Sequence, residues 1–247
     1  MLHRPPKIVF DCLRKYLYYS PSKNLAIYQT RHLFSLSEAS REVILNLNYP
    51  HAVPNSTVTA NSGVAVITLN RPSAANALGF NLMKEMKEIL NYLNDTIDQN
   101  QQRCCIIRSS SPKVFCAGAD LKERKSMNMS EVVECVDKLR QTFDEISRLP
   151  IPTISVIEGA ALGGGFEMAL ATDIRVASTN ATFGLVETSL AIIPGAGGTQ
   201  RLPRLIGVAR AKEIIFTARK FNAEKALEMG IVQHTAEPGK TMQKALS

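Results

Sequence analysis

The sequence predicts an α/β domain. Three observations point to it. Short apolar runs of strand type recur at Val64–Leu69, Cys104–Arg108, Thr153–Ile157 and Ile174–Ala177. Between them lie segments whose apolar residues fall at helical spacing, and the two kinds of segment alternate along the chain.

Taken in order, Thr57–Ala60 and Val64–Leu69 flank the turn signal Asn61-Ser62-Gly63, which predicts a hairpin. Asn81–Leu93 reads as a helix, with Leu82, Met86, Ile89 and Leu93 on one face. Cys104–Arg108 is a short strand. Ser130 is placed to cap a helix whose stripe is Val132, Val136, Leu139, Phe143 and Ile146, and Leu149-Pro150-Ile151-Pro152 ends it. Thr153–Ile157 and Ile174–Ala177 are strands of the buried type. Asn222 caps Ala223–Met229, and Gly230 follows where a helix end favours glycine. No internal repeat, low-complexity tract or second domain is evident.

A chain of 247 residues, 45% hydrophobic and 21% charged, has the composition of a globular protein that can bury a sizeable core. No run approaches the 18 or so apolar residues that a membrane span needs. The net charge of +7 sits mainly at the N-terminus, where residues 1–41 hold seven basic and two acidic side chains. That segment is nearly acid-free and lacks a continuous apolar stretch, so residues 1–56 are expected to be a poorly ordered leader of the organellar transit type. The five cysteines are odd in number and show no metal-ligand spacing, which fits thiols in a reducing compartment.

The chemistry concentrates in glycine-rich turns. Gly163, Gly164 and Gly165 follow the strand Thr153–Ile157, with Glu167 two residues on. A dinucleotide fingerprint starting at Gly163 would need glycine at position 168, which is Met, and a P-loop would need lysine where Phe166-Glu167 stands. The second cluster, Pro194-Gly195-Ala196-Gly197-Gly198-Thr199, also lacks that lysine. Such junctions can instead aim free backbone N–H groups at a developing oxyanion, or simply let helix pack on strand. A small-residue turn, Phe115-Cys116-Ala117-Gly118-Ala119-Asp120-Leu121-Lys122, follows a neighbouring strand and could offer a second N–H. Glu187, 20 residues beyond Glu167, could complete a carboxylate pair able to move two protons. The thiol of Cys116 reads as packing, because no histidine base is evidently paired with it.

Four segments then carry a resemblance. Asn70-Arg71-Pro72 with Asn76-Ala77-Leu78, Phe115–Leu121, Ala161–Glu167 and Pro194–Arg201 together resemble the crotonase (enoyl-CoA hydratase/isomerase) superfamily over about residues 57–240. The runs Ala117–Arg124 and Glu187–Pro194 look most like its methylglutaconyl-CoA hydratase branch. The resemblance implies a crotonase-like ββα spiral fold for residues 57–247. It implies an oxyanion hole from the N–H groups of Ala119 and Gly164, and catalytic glutamates at Glu167 and Glu187. Ala117, Asp120, Leu121 and Lys122 would line the path of coenzyme A. The implied reaction is that of a hydro-lyase, adding water across the 2,3 double bond of an acyl-CoA in fatty-acid or leucine breakdown. CoA enters as part of the substrate, with no metal or other cofactor.

The same resemblance implies a mitochondrial matrix enzyme, assembled as a homotrimer or a dimer of trimers. Members also continue through further helices after the segment matching Gly230–His234, so the expectation is a domain without its C-terminal helical part. A non-catalytic acyl-CoA-binding homologue is the alternative. RNA binding, which occurs in this branch, would call for a lysine stripe on the helix after Asn76. Here Lys84 and Lys87 alternate with Glu85 and Glu88, and Phe80 and Glu88 interrupt the stripe, so RNA is not an expected partner.

Overall fold

The structure, a computed structural model, describes residues 41–47, 63–97 and 102–247. Strand β1 (Val43–Asn46) pairs antiparallel with β2 (Val64–Leu69). A loop that includes the 3₁₀ turn Pro72–Ala74 leads to helix α1 (Phe80–Thr96), then to strands β3 (Cys104–Ser109) and β4 (Val114–Cys116). The single turn α2 (Leu121–Arg124) precedes the long helix α3 (Met129–Arg148). Next come β5 (Thr153–Ile157), β6 (Ala160–Leu162) and α4 (Gly164–Leu170). Strands β7 (Ile174–Ser178) and β8 (Thr182–Gly184) lead through the 3₁₀ turn Glu187–Leu190 to α5 (Gly198–Ile206) and α6 (Val208–Thr217). The chain closes with β9 (Phe221–Asn222), α7 (Ala223–Glu228), β10 (His234–Ala236) and α8 (Thr241–Leu246).

The larger sheet has the order β1-β2-β3-β5-β7-β10, parallel throughout except at β1. The smaller has the order β4-β6-β8-β9, with only β9 antiparallel. Successive units β3-β4-α3, β5-β6-α4 and β7-β8-α5 each put one strand in each sheet and then a helix. This is the repeated ββα spiral that the resemblance implies, and the parallel pairing follows because every return crosses through a helix.

The core lies between the sheets and the helices. Leu82, Met86, Ile89 and Leu93, the stripe read from α1, are all at most 1% exposed. Each such side chain contributes about 1.5–3 kcal/mol of burial. Between the small sheet and α4, Phe166, Phe183 and Phe221 form a three-ring cluster with centroids 5.6–5.9 Å apart. Strand alternation sends Cys105 and Ile107 into this core and Ile106 to the other face of the large sheet. There Met242, Ala245 and Leu246 of α8 cover it.

Two expectations change. The ordered domain begins before residue 57, because Val43 is fully buried and the Glu85 carboxylate accepts hydrogen bonds from the N–H groups of Glu42 and Val43, both at 2.9 Å. A three-residue apolar run inside a basic segment gave too little pattern to mark that strand. The Thr57–Ala60 strand lies outside the described residues, and the antiparallel neighbour of β2 is β1. The cap of α3 is Asn128, not Ser130: the Asn128 side chain accepts from Glu131 N while Glu131 accepts from Asn128 N, a reciprocal capping box. The Asn222 cap of α7 is as expected, accepting from Lys225 N.

Candidate active site

The turn Phe115–Asp120 is held by the loop that carries Asn70-Arg71-Pro72 and Asn76-Ala77-Leu78. Ala117 N donates to Ala75 O and Leu78 N donates to Gly118 O. Asn76, fully buried, donates from its amide to Ser109 Oγ and Phe115 O and accepts from Arg71 N. The Cys116 thiol donates to Asn76 O at 3.0 Å, and burial pushes its pKa up to about 12. It stays a thiol and packs.

This clamp sets the turn against the start of α4. A Cβ built on Gly118 would lie 3.1 Å from Gly164 N, and one built on Gly164 would lie 3.8 Å from Ala119 N. At Gly118, where φ is +94° and a Cβ would also lie 2.9 Å from Leu162 O, only glycine permits that approach. Among the described residues, neither the Ala119 N–H nor the Gly164 N–H has a protein acceptor, so both remain available to a ligand oxygen. The two glycine turns are thus neighbours in space.

Glu167 projects from the first turn of α4 and is 2% exposed. Its Oε1 accepts from Ala196 N at 2.8 Å and Gly198 N at 2.7 Å. Burial raises its pKa, while the two N–H donors and the charges of Arg201 and Arg124 pull it back. The second glycine cluster is therefore the holder of a carboxylate, placed at the start of α5.

Glu187 opens the 3₁₀ turn after β8. Burial, and then the charge of Glu167, push its pKa up to about 7, and its buried Oε2 has no hydrogen-bond partner among the described residues. Both carboxyls are thus raised by burial, with the neighbouring charge adding to the rise at Glu187.

Both glutamates line a cavity of about 160 Å³ together with Ala117, Ala119, Leu121 and Gly164. Its remaining walls are largely apolar, among them Val136, Leu139, Ile192 and Ile193. Six of the eight residues singled out from the sequence meet here. Lys122 is exposed outside this lining. Asp120 is not part of it either. Its carboxylate pairs with Arg71 at 2.7 Å and accepts from the N–H groups of Lys122 and Glu123. Burial alone would raise its pKa, but those partners outweigh it and hold it below the usual carboxylate range.

Arg124 was missed by the sequence reading. It lines the cavity, and its buried Nε has no acceptor among the described residues. The signal was available in Leu121-Lys122-Glu123-Arg124, but a one-turn helix gives no periodicity from which to tell which basic side chain points inward. A larger cavity of about 490 Å³ opens between α1 and α3, lined by Phe80, Met83, Lys84 and Cys135, and contains no carboxylate. Of these two cavities, only the smaller is lined by carboxylates.

The family model "Enoyl-CoA hydratase/isomerase" matches residues 59–247. Mitochondrial methylglutaconyl-CoA hydratase of Mus musculus is 51% identical over 177 residues, covering 72% of this chain and 55% of that protein. A probable mitochondrial enoyl-CoA hydratase 2 of Arabidopsis thaliana is 48% identical over 211 residues, covering 85% and 69%. The chain thus spans little more than half the length of the mouse relative. Among solved structures, an enoyl-CoA hydratase from Bacillus anthracis superposes with a TM-score of 0.74 at 43% identity, covering 83% of this chain and 74% of that one. With the spiral fold, two free N–H groups, the buried Glu167 and the partly buried Glu187 already in one cavity, these matches place the chain in the enoyl-CoA hydratase/isomerase family.

Proposed function

We propose that this chain is the core of an enoyl-CoA hydratase, adding water across the 2,3 double bond of an acyl-CoA thioester. The observation that carries the reading is the convergence of Glu167, Glu187 and the N–H groups of Ala119 and Gly164 on one cavity. The thioester oxygen accepts from the two N–H groups, which stabilise the enolate-like charge as it develops. Glu167, whose Oε1 is already fixed by two donors, takes a proton from the water that attacks C3. Glu187, the carboxylic acid that stays protonated towards neutral pH, delivers a proton to C2. The reaction is redox-neutral and both protons are handled by carboxyl groups, so CoA enters only as part of the substrate.

Arg124 supports a finer reading. A guanidinium whose buried Nε has no acceptor among the described residues, in a cavity whose walls beyond the two glutamates are largely apolar, suits an acyl chain that ends in a carboxylate. Methylglutaconyl-CoA, an intermediate of leucine breakdown, has that character, and the mouse relative is named for it. Mitochondrial placement belongs to the same proposal, supported by the mitochondrial names of the mouse and Arabidopsis relatives; residence in the matrix is our extension of it. Assembly as a trimer or a dimer of trimers is proposed too, with Phe216 at 69% exposure and Val208 at 59% as apolar surface available for it.

The test is loss of the conjugated enoyl-thioester absorbance on incubation with crotonyl-CoA and with 3-methylglutaconyl-CoA. Turnover should fall at least about 100-fold in Glu167→Gln and in Glu187→Gln. Absence of turnover by the wild-type chain on every enoyl-CoA tried would sink the reading. Undiminished rates in both variants would sink the mechanism.

A further inference from the structure

The loop Gly195–Gly198 is gripped from its far side. Gly195 O accepts from Arg140 Nε at 3.2 Å, and Ala196 O accepts from Arg201 Nη1 at 3.1 Å. Gly195 O and Ala196 N belong to the same trans peptide unit, so its C=O and N–H point in opposite directions. Arg140 on that oxygen therefore aims the Ala196 N–H at Glu167 Oε1, while Arg201, on Ala196 O, fixes the next peptide unit, the link between the two donor-bearing units that carry Ala196 N and Gly198 N. Arg201 is itself fixed by Asp144 of α3 at 2.5 Å, and Arg140 by Asp137 at 2.9 Å. Gly197 adopts φ +116°, and a Cβ built there would lie 2.0 Å from Arg201 Nη1. The loop and the guanidinium thus occupy space that no other residue at 197 would leave open.

We infer that Arg201, with Arg140 beside it, is a positioning residue for the proposed base, acting on Glu167 through the peptide units of the Gly195–Gly198 loop rather than by touching substrate. The inference rests on Glu167 being the base of the reaction proposed above. The charged groups around Glu167 are Glu187 from the turn after β8, Arg124 from α2 and Arg201 from α5. Behind the loop stand Arg140, Asp137 and Asp144 of α3. Glu187 opposes ionisation of Glu167, Arg124 and Arg201 favour it, and the loop N–H groups bond the ionised form. Loosening the loop removes those donors from a carboxylate that has little water to replace them.

The experiment is a carbon-detected NMR titration of the glutamate carboxyls in the folded chain, with the Glu167 signal assigned by its absence from Glu167→Gln. Arg201→Gln should move the Glu167 midpoint up by about one pH unit or more, and Arg201→Lys should fall between. Arg140→Gln, at a half-exposed position, should shift it the same way by less, and serves if Arg201→Gln fails to fold. In the hydratase assay, kcat of Arg201→Gln relative to wild type should be lowest at acidic pH, with KM near wild type, and should approach the wild-type value as pH rises. An unmoved Glu167 midpoint in the folded variants would overturn the inference, as would equal losses in kcat at every pH. Because the titration needs no turnover, a shifted midpoint without hydratase activity counts against the proposed reaction alone. Activity with an unshifted midpoint counts against this inference alone.

Discussion

Glu187 and Glu167 are the same residue type 20 positions apart, yet their oxygens meet different surroundings. Glu167 keeps two N–H donors on one oxygen, whereas Glu187 has a buried oxygen with none. If Glu187 acts as the acid, hydration should slow as pH rises through about 7, the value to which its pKa is pushed, and a pH–rate profile in the hydration direction checks this. Stability should follow the same group. A carboxyl whose folded pKa is raised from 4.5 to about 7 contributes stability that is full below 4.5 and is lost as pH climbs through 7. Glu187→Gln should therefore remove activity while making the chain more stable at pH 8, on the order of 2 kcal/mol after discounting for partial exposure. Thermal melts at pH 5 and pH 8 would show the wild-type difference shrinking in the variant. Arg124 gives a second residue-scale prediction. Arg124→Met should raise KM for a carboxylate-terminated enoyl-CoA about 10- to 100-fold and leave crotonyl-CoA within a few fold. Equal effects on both substrates would remove Arg124 from acyl recognition.

Among the elements, the ends matter more than the middles. The stripe of α1 was legible because one buried face repeats over four turns. The cap of α3 was not, since Asn128 and Ser130 are both good cap residues two positions apart, and only the reciprocal bond with Glu131 chooses between them. Asn128→Ala should cost about 1 kcal/mol in denaturant melts, and Ser130→Ala should be near neutral. The reverse order would mean that the helix starts later. The short elements β4, β6 and β8, of three residues each, carry too few positions to show alternation, yet they lead into the turns that line the cavity. Their pairing comes from Phe115, Phe166 and Phe183 packing between layers, a long-range effect invisible in any local window.

For the whole molecule, the large sheet needs β1 as its edge. Compared with a chain starting at Arg41, one starting at Thr57 should lose several °C and aggregate more readily, because β2 would be left with an open edge and Glu85 without its two N–H partners. Identical melts for the two would show that β1 contributes little. The sequence by itself determined the alternating α/β plan, the glycine turns, the carboxylate pair and the family likeness, since each rests on local spacing or on motifs read in chain order. Only the tertiary structure decided that Gly118 and Gly164 meet backbone to backbone, that the second glycine cluster holds Glu167, that Asp120 turns away to Arg71 and that Arg124 faces in. Those outcomes depend on which strands become neighbours and which side of a one-turn helix is buried. Both are set by the packing of distant apolar residues rather than by the residues that do the chemistry.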